Sequence, residues 1–363
     1  MSSVAKYAYI NAKVRGMMGR LLTKEAIDSL IGAESFQTMV RLLEQSPYGP
    51  RLAELPFEEI NSRNLDRVFS EDFIEAFNVV YRSSPNEVRE FLDRVRMKFE
   101  ARTLKTLIRV KVANLPLEEA MRYVIPVGTL TMDLCEELLR KKDLREMVDA
   151  IPIEIFKEAI KEGWRYYEET ENVFPLEVAI DKTAFEEIWR YIEDNMKGVD
   201  KQVAEHVVGT EIDTINIKIV LRGKFLGLDP LTIQKLLLKV NYRLRKEFLQ
   251  KSLEAKSVNE VIETLAAYPY HMGGIVKSFQ TILLEALRKY EKKELLTGIE
   301  VELDKLIYEV SKKAGFGNPF QIGTILCYLN LKWFEIKNLK TIVVGKEEKI
   351  IPIHIRKYLI QKE

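Results

Sequence analysis

Cysteine is almost absent: Cys135 and Cys327 are the only two in 363 residues. Two distant thiols exclude a disulfide framework, and the lack of close pairs excludes a cysteine-built zinc site, so a reducing compartment is expected. Histidine is as scarce. His206, His271 and His354 stand far apart, with none of the spacings that put two ligands on one helix face. Structural or surface roles are expected for all three. Charge of one sign is missing too, since 56 basic residues face 55 acidic ones for a net +1. That balance leaves no overall field to draw nucleic acid or an anionic membrane surface. Nor is there a long apolar run. The stretch MSSVAKYAYINAKVRG is broken by Lys6, Lys13 and Arg15, unlike a secretory signal, and a cytoplasmic protein is expected. The longest uncharged run, AGFGNPFQIGTILCYLNL at 314–331, contains Gly, Asn, Gln and Pro. A spanning helix needs about 20 mostly apolar residues, so this run is not read as one. Its second half reads as a buried helix with Pro319 near the start.

What is present is ample core material, with 47% hydrophobic and 31% charged residues, the balance of a soluble globular chain. The length suits two or three domains. It also carries a repeat. ARTLKTLIRVK at 101–111, TINIKIVLRGK at 214–224 and IKNLKTIVVGK at 336–346 are near-copies. Leu104, Leu107, Ile108, Val112 and Leu115 follow the 3.6-residue period of a helix with one apolar face. Adding 113 gives Ile217, Val220, Leu221, Phe225 and Leu228; adding 235 gives Leu339, Ile342 and Val343, then Glu347 and Ile350. The basic set Lys105, Arg109 and Lys111 maps onto Lys218, Arg222 and Lys224.

Two further marks keep the same order. Downstream stand Pro116-Leu117, Pro230-Leu231 and Pro352-Ile353, each placed to open another helix. Upstream stand Leu65-Asp66-Arg67, Ile180-Asp181-Lys182 and Leu303-Asp304-Lys305. A fainter echo joins residues 34–49, 142–152 and 256–271, read as amphipathic helices ended by proline turns. A period near 115 residues means domain-sized copies rather than a solenoid. The expected architecture is therefore all-α, three homologous helical bundles at 1–115, 116–228 and 229–363. The β-branched stretches KTIVVG and KIIPIHI are weak strand signals, and the first aligns with helix in the other copies.

Chemistry is hard to find. VVGKEE at 343–348 lacks the glycine and the Ser or Thr of a phosphate loop, having Lys340 and Glu347 in those places. GFG at 315–317 reads as a turn. The carboxylates of FEEIWRYIED and YEKKELLTGIEVELDK read as solvated helix faces. Asp66, Asp181 and Asp304 read as copies of one structural feature, a helix cap or an ion pair. Nothing suggests the convergent unlike groups of an active site. The aromatics of GWRYYEET and YLNLKWFEIKNL are expected in the core or at protein interfaces, because stacking platforms for nucleic acid would need local positive charge. Gly16, Gly19, Arg109, Arg222 and Lys224 are residues for an interface or for solvent.

The segments YAYINAKVRGMMGRLL (7–22), VAIDKTAFEEIW (178–189), EIDTINIKIVLRGK (211–224) and NPFQIGTILCYLNLKWFEIKNLKTIVVGK (318–346) together resemble the C subunit of archaeal A-type and bacterial V-type ATP synthases, whose family includes the d subunit of vacuolar ATPases. The likeness spans almost the whole chain. It implies a funnel of three helical domains about a pseudo-threefold axis. It further implies a non-catalytic central-stalk adaptor, without cofactor or metal, that joins the D and F subunits of the shaft to the membrane ring of proteolipid subunits. The chain is then a peripheral protein on the cytoplasmic side, binding neither nucleic acid nor a small-molecule substrate. Val344, where the earlier copies have Arg109 and Arg222, and the tail from Lys346 to Glu363 depart from the pattern. A helical scaffold of another assembly is the alternative that the repeat leaves open.

Overall fold

The chain opens with α1 (Ser3–Met18) and the short helices α2 (Lys24–Gly32), α3 (Phe36–Glu44) and α4 (Gly49–Leu52), followed by the long pair α5 (Ser62–Ser83) and α6 (Asn86–Val112). The plan recurs. Short helices α7 (Leu117–Tyr123), α8 (Met132–Arg140) and α9 (Leu144–Asp149), with α10 (Glu154–Thr170), lead to the long pair α11 (Phe174–Asn195) and α12 (Gly198–Phe225). Then α13 (Pro230–Leu236), α14 (Lys246–Glu254), α15 (Val258–Ala266) and α16 (Phe279–Lys289) lead to α17 (Leu295–Gly315) and α18 (Gly323–Glu347), and α19 (Pro352–Lys357) follows. This computed structural model describes residues 3–56, 59–268, 271–272, 275–276, 279–289 and 294–360. Among them, β structure is limited to an isolated bridge and the two-residue strands β1 (His271–Met272) and β2 (Ile275–Val276). The all-α expectation is met.

Local chemistry accounts for the helix ends. Thr23, Ser35, Asn61, Thr131, Asp143, Asp229 and Ser257 each accept a backbone N–H at a helix start, which satisfies a donor the first turn cannot pair itself. Pro116 caps α7, while Pro230 and Pro352 are the first residues of α13 and α19, so the three prolines do open helices. At the other end, α6, α12 and α18 all finish alike. Asn114, Gly227 and Lys349 take left-handed φ values of 53°, 71° and 55°. The following N–H groups of Leu115, Leu228 and Ile350 return to the carbonyls of Val110, Gly223 and Gly345 at 3.2, 2.9 and 2.8 Å. That is one Schellman ending, used three times.

Packing joins these elements in a cycle. Helix α6 packs along α11, α12 along α17, and α18 along α5, so the third long helix returns to the first unit. The short helices follow the same rotation: α7–α9 sit on α6, α13 and α15 on α12, and α19, α2 and α3 on α18. Each cluster is tied down by an equivalent lysine. Lys111 Nζ donates to the Leu139 carbonyl at 3.0 Å, Lys224 to Leu253 at 2.6 Å and Lys346 to Ala33 at 2.6 Å. The N-terminal α2 and α3 and the C-terminal α19 thus pack together on α18. Helix α1 is fastened across α18 and α5, with Asn11 donating to the carbonyls of Pro319 and Gln321.

Several sequence expectations change. Val112 and Phe225, placed on the apolar face by periodicity, are 39% and 68% exposed, because the last turns of α6 and α12 run past their neighbours. Pro319 precedes α18 by four residues; the side-chain oxygens of Asn318 and Gln321 hold the intervening turn by accepting the Phe320 and Gly323 N–H groups, and the helix starts at Gly323. Residues 323–331 are buried as read. KTIVVG is helical within α18, and part of KIIPIHI forms α19. Pro269, the proline of the third echo, lies outside the described residues.

Candidate functional site

The junctions between units carry the repeated charges. On α6, Lys105 Nζ meets Asp181 Oδ2 of α11 at 2.6 Å, and Arg109 grips Glu177 two-pronged, its Nη2 at 2.7 Å from Oε2. One unit on, Lys218 meets Asp304 at 2.8 Å and Arg222 meets Glu300 at 2.6 Å, with a second contact from Arg222 to Glu177 at 3.3 Å. Asp181 and Asp304 are ion-pair partners within helices, which decides between the two roles expected of them.

The third junction, α18 on α5, keeps half of this pattern. Lys340 and Asp66 occupy the equivalent places, but Val344 and Ser62 stand where Arg and Glu would be. Both members of the pair have changed together. Arg122 fills the gap, donating to Ser62 Oγ at 2.8 Å and to Glu347 at 2.7 Å, and lying 3.8 Å from Asp66. The environments diverge accordingly. Burial alone would raise Asp304, yet Lys218 and Lys337 together hold it well below the usual carboxylate range. Burial pushes Asp66 up to about 6 against the pull of Lys340 and Arg122, and its Oδ1 has no hydrogen-bond partner. Lys340, donating to the carbonyls of Arg122 and Val124, is pushed down to about 8 by burial, with Asp66 opposing.

Between the first two junctions and α18 lies a cavity of about 280 Å³, walled by α6, α11, α12, α17 and α18. Two of three equivalent positions, Glu211 and Trp333, line it, and the third, Lys98, is buried against Glu211. Residues 98, 211 and 333 correspond under the repeat, and they are Lys98, Glu211 and Trp333. Lys98 donates to Glu211 at 2.8 Å and to Asn330 at 2.9 Å, and Asn330 donates to Glu211 and to Ser311. Burial lowers the Lys98 pKa, Glu211 opposes this, and the nearby Arg102 adds to the lowering. Arg102 lies over the Trp333 ring at 4.9 Å and the Phe99 ring at 5.3 Å, and its buried Nη1 has no hydrogen-bond partner. Exposure rises along α6 and α12, from 1% for the side chains of Lys98 and Glu211 to 50% for Arg109 and 31% for Arg222. The cavity therefore deepens towards the N-terminal ends of those helices. At the C-terminal ends of α6, α12 and α18 stand the exposed apolar residues Val112, Phe225, Leu226, Ile350 and Ile351.

Other sequence candidates fall elsewhere. Gly345 and Lys346 lie within α18, where the backbone N–H groups are committed to the helix and cannot cradle phosphate. Gly315 ends α17 at a turn. His206 stands on α12 with Nδ1 at 3.4 Å from the Tyr242 hydroxyl; burial, then Arg243 and Lys313, lower it to about 4. His354 is on α19, and the His271 side chain is outside those described. Lys224 serves a helix-end carbonyl, and Gly16 lines a groove beside α1. Not all of YEKKELLTGIEVELDK is a solvated face: Glu302 is buried against Lys305 and Lys289, and Glu300 lines the cavity, where Arg222 of α12 reaches it. Trp333 packs with Phe73 and Phe99, as expected of a core aromatic. Asn330, Arg102 and Ser62 were missed in the sequence. For Ser62 the signal was available, as the residue that replaces the repeated glutamate opposite Val344.

The fold is thus all-helical, with three long-helix junctions and a charge-lined cavity walled by α6, α11, α12, α17 and α18. A family profile described as ATP synthase (C/AC39) subunit matches residues 10–358. The chain belongs to that family. It is 30% identical over 357 residues to the C subunit of the A-type ATP synthase of Methanocaldococcus jannaschii, covering 98% of this chain and 87% of that one. It is 26% identical to the C subunit of the Methanothermobacter thermautotrophicus enzyme (95% and 85%) and 23% identical to that of Pyrococcus furiosus (96% and 89%).

Proposed function

We propose that this chain is the central-stalk adaptor of a rotary A-type ATP synthase, a socket that couples the D and F subunits of the shaft to the proteolipid ring of the membrane sector. It carries no catalytic residue, cofactor or metal of its own. Units 1–115, 116–228 and 229–363 form a funnel with pseudo-threefold symmetry. The shaft enters where the cavity widens, at the C-terminal ends of α6 and α12, and the opposite end faces the ring on the cytoplasmic side of the membrane. Rotation then passes between ring and shaft while protons or sodium ions flow, in synthesis or in pumping.

The observation that supports this reading is the cyclic packing of α6 on α11, α12 on α17 and α18 on α5, with a charged cavity between the first two junctions and α18. A piece that transmits torque must resist deformation, and helices locked at every junction by charge pairs and close-packed cores do so. No helix among the described residues is long and apolar enough to cross a membrane, which suits a part resting on the ring rather than within it. Mixing the purified chain with a folded D–F complex tests the proposal. One-to-one association without ATP turnover by this chain is expected; lack of association with the folded shaft would overturn the reading.

A further inference from the structure

We propose that the floor of the cavity is a carboxylate seat, in which the Arg102 guanidinium, laid on Trp333, receives an Asp or Glu side chain from the end of the shaft. This rests on the socket reading and adds the chemical group that the socket grips.

The other cations lining the cavity are all engaged: Lys105, Arg109, Lys218, Arg222 and Lys337 each hold a carboxylate. Arg102 holds none among the described residues, and its Nη1 is buried without a hydrogen-bond partner. A buried donor left unbonded is costly, and a side chain needed only for packing on Trp333 would serve without it. The charge at the floor points the same way. Six cations, Arg102 among them, line the cavity with five carboxylates, Glu177, Asp181, Glu211, Glu300 and Asp304, and Glu211 is already held by the buried Lys98, so positive charge is in excess where solvent screening is weak. The guanidinium carbon lies 4.9 Å from the Trp333 ring centre and 5.3 Å from that of Phe99, and a guanidinium held on aromatic faces can still offer its edge N–H groups to a carboxylate.

The test titrates the chain with the D–F complex, following Trp333 fluorescence in a Trp164→Phe, Trp189→Phe background, which leaves Trp333 as the one tryptophan of the three. Arg102→Met, which keeps the stacking bulk, is expected to weaken association about thirtyfold or more, as loss of one partner of a desolvated charge pair does. Arg102→Lys, which keeps the charge and loses the fork, falls between. Amide replacement of one acidic residue at the shaft end reproduces the loss, and combining it with Arg102→Met adds little more. Wild-type affinity in folded Arg102→Met overturns the seat and leaves the socket reading standing. If that variant does not fold, Arg102→Lys with wild-type affinity does the same. A loss of affinity that no acidic replacement in the shaft reproduces also overturns the seat. Failure of the unaltered chain to bind removes the socket reading itself.

Discussion

Asp66 and Asp304 are the same residue in two copies of one plan, and their surroundings drive them in opposite directions. Two lysines hold Asp304 well below its ordinary pKa of 3.8, whereas burial lifts Asp66 from 3.8 to about 6. For a depressed group, stability is present above the unfolded value and is lost as pH falls through the folded one. For a raised group, stability is present below the unfolded value and is lost as pH climbs through the folded one. Asp304→Asn should therefore cost about 3 kcal/mol at neutral pH, with the deficit shrinking below about pH 4. Asp66→Asn should gain on the wild type by about 1–3 kcal/mol between about pH 4 and 7. Thermal unfolding of both variants across that range checks the signs; parallel curves would rule out the assigned environments. The repeated Asp and Lys marks could be read in the sequence, but their pairing could not. Lys105 reaches Asp181 and Lys218 reaches Asp304, and such distant separations carry no periodic signature. Only the joint loss of Arg and Glu at Val344 and Ser62 hints that the marks touch across copies.

Elements were more legible, because a helix face is written in steps of three and four residues. Leu104, Ile217 and Leu339 are all buried, and the prolines stand at the helix starts they announced. What periodicity cannot say is how far a neighbour extends, hence the exposed Val112 and Phe225. Nor does it expose volume exchange between helices. Where each long helix meets its following short one, the first unit uses Val110 with Ala120, while the others use Gly223 with Ile233 and Gly345 with Ile355. A Cβ on Gly223 would stand 2.7 Å from Ile233, too close to be accommodated without movement. Gly223→Val should thus cost about 3 kcal/mol by overpacking and Ile233→Ala about as much through its cavity. The double variant, copying the first unit, should recover to within about 1.5 kcal/mol of wild type. Urea midpoints of the three variants measure this, and additive losses would mean that the exchange is not local.

At the scale of the molecule, the contrast among the three junctions makes α18 on α5 the irregular one. Restoring the missing charges should reveal its kinship with the others. Val344→Arg and Ser62→Glu should each destabilise, the first by adding a cation beside Arg122 and Lys340, the second by adding an anion beside Glu347. Together they should recover about 1 kcal/mol of coupling. A double-mutant cycle with no such coupling would show that this junction does not share the geometry of the other two. Three differing residues at one repeat position have a consequence for the proposed socket. An exactly threefold receptacle would accept an elongated partner in any of three settings, a third of a turn apart, with equal energy. Lys98, Glu211 and Trp333 present a cation, an anion and an indole at what is formally one position, so those settings are no longer equal. Under the proposed socket role the molecule is keyed: a shaft seated there has unequal angular settings and so a preferred phase.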